Sequence, residues 1–237
     1  MSPTTSPRTR VTRSKGNTRR KRTASAVARE APVDTPTAIL EAAESLFIEM
    51  GYAGTSLRAI AARAGVNLAS AHYHFGSKAG LLGAVIHLRV GPANEQRGKN
   101  LDALLRETPN PDVEQLLEVF FSPLASGGIA GMLPRLVARL YGEPESLSKP
   151  LIEREFGPIT RRFLLALGAA LPDVDEDELA WRFHFMIGAM IHMLAFGGPP
   201  GLESSPPSSG DGLSRLLAFA VAGITNGLPS AARGKRS

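Results

Sequence analysis

The stretch that most constrains how this chain can fold is residues 55–78, which read TSLRAIAARAGVNLASAHYHFGSK. Thr55 or Ser56 is a suitable cap for a short helix, and Gly65 ends that helix in a tight turn. Val66 supplies the apolar side chain that such a turn buries, and a second short helix follows. Helices joined in this way cross closely, so that one can brace the other in the major groove of DNA. The stretch therefore predicts a helix-turn-helix motif.

Apolar residues at helical spacing predict further helices on both sides of this motif. Thr35, which precedes a proline, begins a helix that Gly51 ends, and Ser77 caps the helix that follows the motif. Gly91 and Pro92 are expected to kink or interrupt that helix before it resumes. Additional helices are predicted at about 112–125, 129–141, 146–170, 175–196 and 210–227, with a loose loop over 197–210. Since no alternating strand pattern of useful length occurs, the predicted fold class is all-α.

Positive charge is concentrated in the first hundred residues of the 237-residue chain. Residues 1–30 hold nine Arg and Lys against one Glu, and residues 51–100 hold six against one. Residues 101–232 instead hold nine basic and sixteen acidic side chains, so the polyanion-binding surface is expected at the amino end. Residues 1–34 contain almost no large apolar side chain and are predicted to be disordered, either as a solubilising tail or as an arm that touches DNA. A second disordered tail is predicted at 229–237.

Several classes of protein are disfavoured by what the sequence lacks. There is no cysteine, which excludes disulfides and thiolate metal sites and fits a reducing, cytoplasmic compartment. The longest apolar run, 183–198, contains His184 and His192 and is shorter than the ~18–20 residues of a membrane span. No secretory signal, nucleophile elbow, phosphate loop or metal-ligand spacing occurs. We therefore expect no membrane partner, no metal, no cofactor and no enzymatic activity.

The motif and its flanks share a set of residues with one known family: Ala42-Ala43, Phe47, Gly51-Tyr52, Thr55-Ser56, Ile60-Ala61, Gly65-Val66, Tyr73-His74-Phe75 and Ser77-Lys78-Ala79-Gly80-Leu81-Leu82. In these residues the stretch from Thr37 to about Val85 resembles the TetR family of bacterial transcriptional regulators. The resemblance implies a three-helix DNA-binding domain over residues 35–82. It also implies a helical domain over residues 83–228 that binds an effector and dimerises.

The carboxy half resembles the PsrA-type branch of the same family more loosely. The residues concerned are Gly157-Pro158, Arg161-Arg162-Phe163, Leu171-Pro172, Trp181-Arg182-Phe183-His184-Phe185, Gly188-Ala189 and His192-Met193-Leu194. This likeness implies a fatty acid or an acyl-CoA thioester as the small-molecule effector.

Most of the predicted DNA-binding residues follow from the family resemblance position by position, and Arg58 and Asn67 are added as the better polar candidates for reading bases. The predicted residues are Thr55, Ser56, Arg58, Asn67, Leu68, Ala69, Ser70, His72, Tyr73, His74 and Lys78. Tyr73, His74 and Lys78 match residues that contact the sugar-phosphate backbone, whereas His72 replaces a tyrosine that is frequent in the family. The start of the recognition helix offers mainly apolar side chains for reading bases, so phosphate contacts and DNA shape are expected to carry much of the affinity.

Aromatic residues and methionines of the carboxy half would suit an apolar ligand cavity, with Arg or His at its polar end. The predicted ligand-binding residues are Phe120, Leu124, Met132, Arg135, Arg139, Phe163, His184, Met186 and Met190. Two alternatives remain open at this point. The same residues could form a filled core, and His184 and His192 could belong to a core or an interface.

The two helices predicted near 175–196 and 210–227 have wide apolar faces that could pair with those of a second copy. The predicted dimerisation residues are Gly188, His192, Leu213, Leu217, Val221 and Ile224. Ordinary packing within one subunit is the alternative. Together these features predict a homodimeric regulator, expected to be a repressor, that binds a near-palindromic DNA operator and is released by an apolar or amphipathic effector. A constitutive DNA-binding protein without an effector is the competing interpretation.

Overall fold

The computed structural model describes residues 35–125, 133–197 and 210–226, and all regular secondary structure in these residues is helical. The helices are α1 (Thr35–Gly54), α2 (Leu57–Arg63), α3 (Leu68–Phe75), α4 (Lys78–Glu107), α5 (Val113–Ala125), α6 (Leu133–Tyr141), α7 (Glu145–Ala170), α8 (Glu176–Phe196) and α9 (Gly210–Thr225). The all-α prediction is confirmed. The predicted basic arm, the predicted carboxy-terminal tail and Met132 lie outside the described residues.

The turns on either side of α3 depend on two glycines. Gly65, after α2, has φ 67°, and Gly76, after α3, has φ 69°. Both values lie in the left-handed region, which side chains with a Cβ atom rarely adopt. Across the first of these turns the backbone amide of Val66 donates to the carbonyl of Ala61 over 3.0 Å. These turns fix where α3 begins and ends, as the sequence predicted.

The predicted interruption at Gly91 and Pro92 does not occur, because α4 is one helix of 30 residues with Pro92 inside it. Proline removes one backbone donor, so the carbonyl of Leu88 loses its usual helical partner. Leu88 and Pro92 are both exposed, and that carbonyl can therefore be hydrated without disrupting the helix. At about 1.5 Å per residue, α4 extends roughly 45 Å and joins the two halves of the fold.

Two hydrophobic cores lie along α4. The first joins α1, α2, α3 and the start of α4 to α6 and the start of α7, and its largest fully buried side chains include Phe47, Ile60 and Leu81. The second joins the end of α4 to α5, the end of α7, α8 and α9, around Phe163 and Phe183. A helix that contributes to both cores can transmit a displacement from one to the other.

Buried Arg182 attaches α9 to α8. Its Nη1 donates to the carbonyl of Ile224 over 2.7 Å, and its Nε donates to the Glu178 carboxylate over 2.9 Å. The first bond satisfies a carbonyl at the end of α9 that has no helical partner. The orientation of α9, and therefore the face it exposes, is set by this attachment and by its packing on the second core.

Candidate nucleic-acid interface and ligand cavity

Side-chain caps fix the starts of the three helices around the turn. Ser56 Oγ accepts the amide of Ala59 over 3.1 Å at the start of α2, and Asn67 Oδ1 accepts the amide of Ala69 over 2.9 Å at the start of α3. Ser77 Oγ caps α4 by accepting an amide over 3.0 Å. Each cap satisfies a donor that a helix start leaves free. The capping roles of Ser56 and Ser77 were predicted, whereas that of Asn67 was not.

Helix α3 turns one face inward and presents the rest to solvent. Ala71 is fully buried against the first core, and Phe75 is half-buried beside it. The predicted contact residues on the other faces are exposed, except for half-buried Ser70: Asn67, Leu68, Ala69, His72, Tyr73 and His74. Tyr73 is 85% exposed, and its ring meets that of His74 edge-on at 5.1 Å. The structure thus brings these predicted residues together on one short helix.

Thr55 requires a correction, since its side chain is buried and cannot reach DNA. Its hydroxyl donates to the carbonyls of Leu46 and Gly51, over 3.1 and 2.7 Å. These bonds close the end of α1, and Ser56 alone caps α2. The local sequence could not distinguish the two hydroxyls, because the difference arises from the packing of α1.

Lys78 has an internal role that the sequence did not predict. Its Nζ donates to the carbonyls of Tyr52 and Thr55, over 2.7 and 2.8 Å, and lies 4.1 Å from the centroid of the Tyr52 ring. Two of its three N–H donors therefore connect the start of α4 to the segment between α1 and α2. Only one donor is left for the phosphate contact that the family resemblance implies.

Replacing Lys78 by Met is expected to lower the free energy of unfolding by about 1.5–3 kcal/mol, because hydrogen bonds from a charged donor to the backbone are lost. Urea denaturation would measure the change. Lys99→Met is the matched control, since Lys99 is an exposed lysine on the same helix. Weaker DNA binding by the Lys78 variant without any loss of stability would instead favour a role confined to phosphate contact.

The two arginines of α2 differ in their surroundings. Arg63 Nη1 donates to Glu49 and Ser45 over 2.8 and 3.0 Å. The hydrogen bond to Glu49 lowers the pKa of the Glu49 carboxyl. Arg58 is exposed and forms no ion pair with any residue that the structure describes. Arg58 is therefore the cation of α2 that remains available to a phosphate or a base.

An apolar cavity of about 300 Å³ lies among α4, α5, α6, α7 and α8. Of the predicted ligand-binding residues, Phe120, His184 and Met190 line it. Most of the remaining wall is apolar and, apart from Phe183, was not predicted: Val90, Pro134, Val137, Ile152, Phe156, Ile159, Leu164, Phe183, Ile187, Ile191 and Leu194. Its volume is near the lower end of the range of about 300–1,000 Å³ that is typical of small-molecule sites.

Other predicted ligand-binding residues need correction. Phe163 and Met186 are buried in the second core, Leu124 packs against that core, and none of the three is among the residues that line the cavity. Arg135 is exposed, and Arg139 lies beside Gly51 at the first core. These assignments rested on residue type and helical position, which do not determine whether a side chain faces a cavity or a core.

Arg97 is a buried charged residue of the cavity wall that was not predicted. It is 3% exposed, and its guanidinium lies 4.6 Å from the centroid of the Phe120 ring. Its spacing from Val90, Ala93 and Leu101 could have indicated this, because all four occupy the buried stripe of one helix. An arginine in such a stripe is a candidate for a buried charge.

The exposed surfaces of α8 and α9 carry large apolar side chains. Trp181, Phe185 and Phe196 of α8 are 59%, 65% and 71% exposed, and Phe219 of α9 is 65% exposed. Predicted Gly188 and His192 lie on the same exposed side of α8. By length and composition α8 could also span a membrane, although here it packs against α6, α7 and α9. Exposed apolar patches of this kind commonly mark an interaction surface.

The predicted dimerisation residues of α9 face the second core and not the exposed side of the helix. Ile224 is 1% exposed in the second core, and the half-buried side chains of Leu213, Leu217 and Val221 pack against that core. The outward face instead contains Phe219 with small residues such as Ala222 and Gly223. Composition showed that α9 was apolar on most sides, but the packing of α5 and α8 determined which side is buried.

Two family models match this chain. Residues 39–85 match the bacterial regulatory proteins of the tetR family, and residues 118–223 match the tetracyclin repressor-like C-terminal domain. An HTH-type transcriptional repressor of Mycobacterium tuberculosis is 43% identical over 82 residues, which are 34% of this chain and 39% of that protein. The chain thus spans well under two thirds of the length of this curated relative.

Solved structures share the fold over most of the chain. Mycobacterium smegmatis AmtR is 24% identical, with a TM-score of 0.55, and the match covers 84% of this chain and 99% of AmtR. NalD, the secondary repressor of the MexAB-OprM multidrug efflux pump in Pseudomonas aeruginosa, is 22% identical with a TM-score of 0.56, over 81% of this chain and 97% of NalD. The likeness to the PsrA-type branch stays a prediction.

Proposed function

Because the chain belongs to the TetR family of bacterial regulatory proteins, a family of transcriptional regulators and not of enzymes, we propose that it regulates transcription by inserting α3 into the major groove of DNA. The observation that carries the proposal is the outward face of α3. This short helix, held by side-chain caps and glycine turns, exposes Tyr73, His72 and His74. With DNA as the partner, the expected location is the cytoplasm.

The proposed contacts fall into two groups, those that position the protein on the phosphate backbone and those that read the bases. Tyr73 and His74 can donate to phosphate oxygens, as can Arg58 and the remaining N–H of Lys78. Leu68 and Ala69 can meet a thymine methyl group, and the free amide N–H groups of Asn67 can reach a base edge. Since few strong base-reading groups are present, the geometry favours phosphate contacts and DNA shape as the main sources of affinity.

Replacing Tyr73 by Ala is expected to weaken DNA binding by roughly tenfold, because a backbone contact on the order of 1–2 kcal/mol is lost. Fluorescence anisotropy with the operator and with unrelated DNA would measure it, and both affinities should fall together. Leu165→Ala is the control, since Leu165 is an exposed large side chain of α7 that lies outside both the motif and the cavity wall. A folded Tyr73 variant that binds as tightly as the wild type would contradict the assignment.

The proposed operator is near-palindromic and is bound by a homodimer. Support comes from the exposed apolar side of α8 and α9, where Trp181, Phe185 and Phe219 are left uncovered by the residues that the structure describes. Two helices from each copy would form a four-helix interface and remove these side chains from water. A twofold dimer presents two recognition helices to two half-sites of DNA, which a palindromic operator provides.

We further propose that the protein is a repressor released by a small effector. The cavity and the DNA-binding motif share α4, which lines the cavity at Val90, Asn94 and Arg97 and is fastened to the motif at Lys78. A ligand that favours a different position of α4 would change the spacing of the recognition helices and lower operator affinity. A constitutive DNA-binding protein would instead hold the operator equally well with the cavity filled.

A further inference from the structure

The guanidinium of Arg97 is held at the cavity wall with one nitrogen unused. Its Nε donates to the carbonyl of Phe120 over 2.8 Å, and its Nη1 donates to Asn94 Oδ1 over 2.9 Å. Asn94 is itself anchored, because its Nδ2 donates to the carbonyl of Glu155 over 2.7 Å. Nη2 has no hydrogen-bond partner and, in the described part of the chain, is the single buried side-chain polar atom in that condition.

The positive charge of Arg97 is also uncompensated within the described residues. None of their carboxylates forms a salt bridge with it, and Glu153, the acidic residue of the cavity wall, is exposed and pairs with Arg161. Burial lowers the pKa of Arg97 to about 10, so the group is still charged at neutral pH. A buried charge with an unused donor is costly unless an anion compensates it.

The cavity beside this charge is apolar and small. Phe120, Phe183 and Ile187 are among its walls, and His184 is an exposed group that also contributes to it. We propose that the cavity binds an amphipathic monocarboxylate, with the carboxylate at the Arg97 guanidinium and the hydrocarbon part against the apolar walls. This inference rests on the proposed function, because the bound acid would be the effector. A free acid fits better than its coenzyme A thioester, whose carbonyl has no charge.

The test compares charged and uncharged ligands of equal length on the full chain. Isothermal titration calorimetry would measure octanoate, decanoate and dodecanoate, with decan-1-ol as the uncharged match to decanoate. The wild-type protein is expected to bind decanoate about 10–100-fold more tightly than decan-1-ol, since a charge-assisted hydrogen bond is made only by the acid. If no acid binds, or if alcohol and acid bind equally, the proposal is wrong.

Two variants test whether Arg97 is responsible for the preference for the acid over the alcohol. Arg97→Met is expected to lower decanoate affinity about 10–100-fold and to leave decan-1-ol binding unchanged. Arg162→Met is the matched control, because this arginine of α7 is exposed and pairs with Asp102 outside the cavity. An Arg97→Met protein that keeps the wild-type preference for the acid would overturn the proposal. If that variant does not fold, the comparison of acid and alcohol binding to the wild-type protein still tests the proposal.

Operator binding, measured by anisotropy with the same ligands, separates this inference from the proposed function. Tight decanoate binding without operator release would support the carboxylate site and contradict its effector role. Release by a hydrophilic metabolite, together with no binding of any acid, would support the regulator and overturn the carboxylate site.

Discussion

Replacing Gly188 by Arg is expected to separate the dimer and to lower operator affinity by roughly 10³-fold, towards the level of nonspecific DNA. Gly188 lies on the exposed side of α8, and a Cβ atom built on it meets nothing within 4 Å. An arginine is therefore tolerated in the isolated subunit. In a close pairing of two α8 helices the same side chain would bury a charge without a partner, which is strongly unfavourable.

Sedimentation velocity at micromolar concentration would measure the oligomeric state, and gel shifts on the full operator and on a half-site would measure DNA binding. The variant should sediment as a folded monomer that binds both DNAs weakly and equally. Leu105→Arg is the matched control, because Leu105 is an exposed leucine of α4, a helix that is not part of the proposed interface. A wild-type monomer, or a variant that remains dimeric, would contradict the proposed interface.

Most helix boundaries could be predicted because their signals are local. Ser56, Ser77 and the glycines at positions 65 and 76 act within one turn of the chain, so their roles can be read without knowing the fold. Proline at position 92 shows the limit of this reasoning. Whether a helix tolerates an internal proline depends on the surroundings of the carbonyl that loses its donor, and those surroundings are set by tertiary packing.

The sites were harder to predict because they depend on which side of each helix is covered. Thr55 and Lys78 have the residue types of DNA contacts, yet both bind backbone carbonyls near the end of α1. The face of α9 that is buried follows from the packing of this helix on α5 and α8, which places Leu217 and Ile224 towards the second core. Residue type identified the kind of chemistry available, whereas contacts between distant segments decided where it is exposed.

Phe163 gives the second large expected effect, and it distinguishes a residue of the core from a residue of the cavity. The ring is fully buried and meets the Phe120 ring edge-on at 5.0 Å, and Phe120 lines the cavity. Phe163→Ala is expected to lower the free energy of unfolding by about 3–5 kcal/mol, since it removes a buried ring and leaves a void. Urea denaturation at fixed protein concentration would measure this, because dimerisation makes stability depend on concentration.

Leu165→Ala, two residues further along α7, is the matched control for Phe163. Leu165 is 76% exposed, so its loss should change the free energy of unfolding by less than about 0.5 kcal/mol. The void would open behind Phe120 and could lengthen the cavity. The ratio of the affinity for a longer carboxylate to the affinity for decanoate should therefore be higher in the Phe163 variant than in the wild type. A cost no larger than that of the control would mean that the ring is not packed in the second core. An unchanged chain-length preference would mean that Phe120 keeps the cavity wall closed without its support.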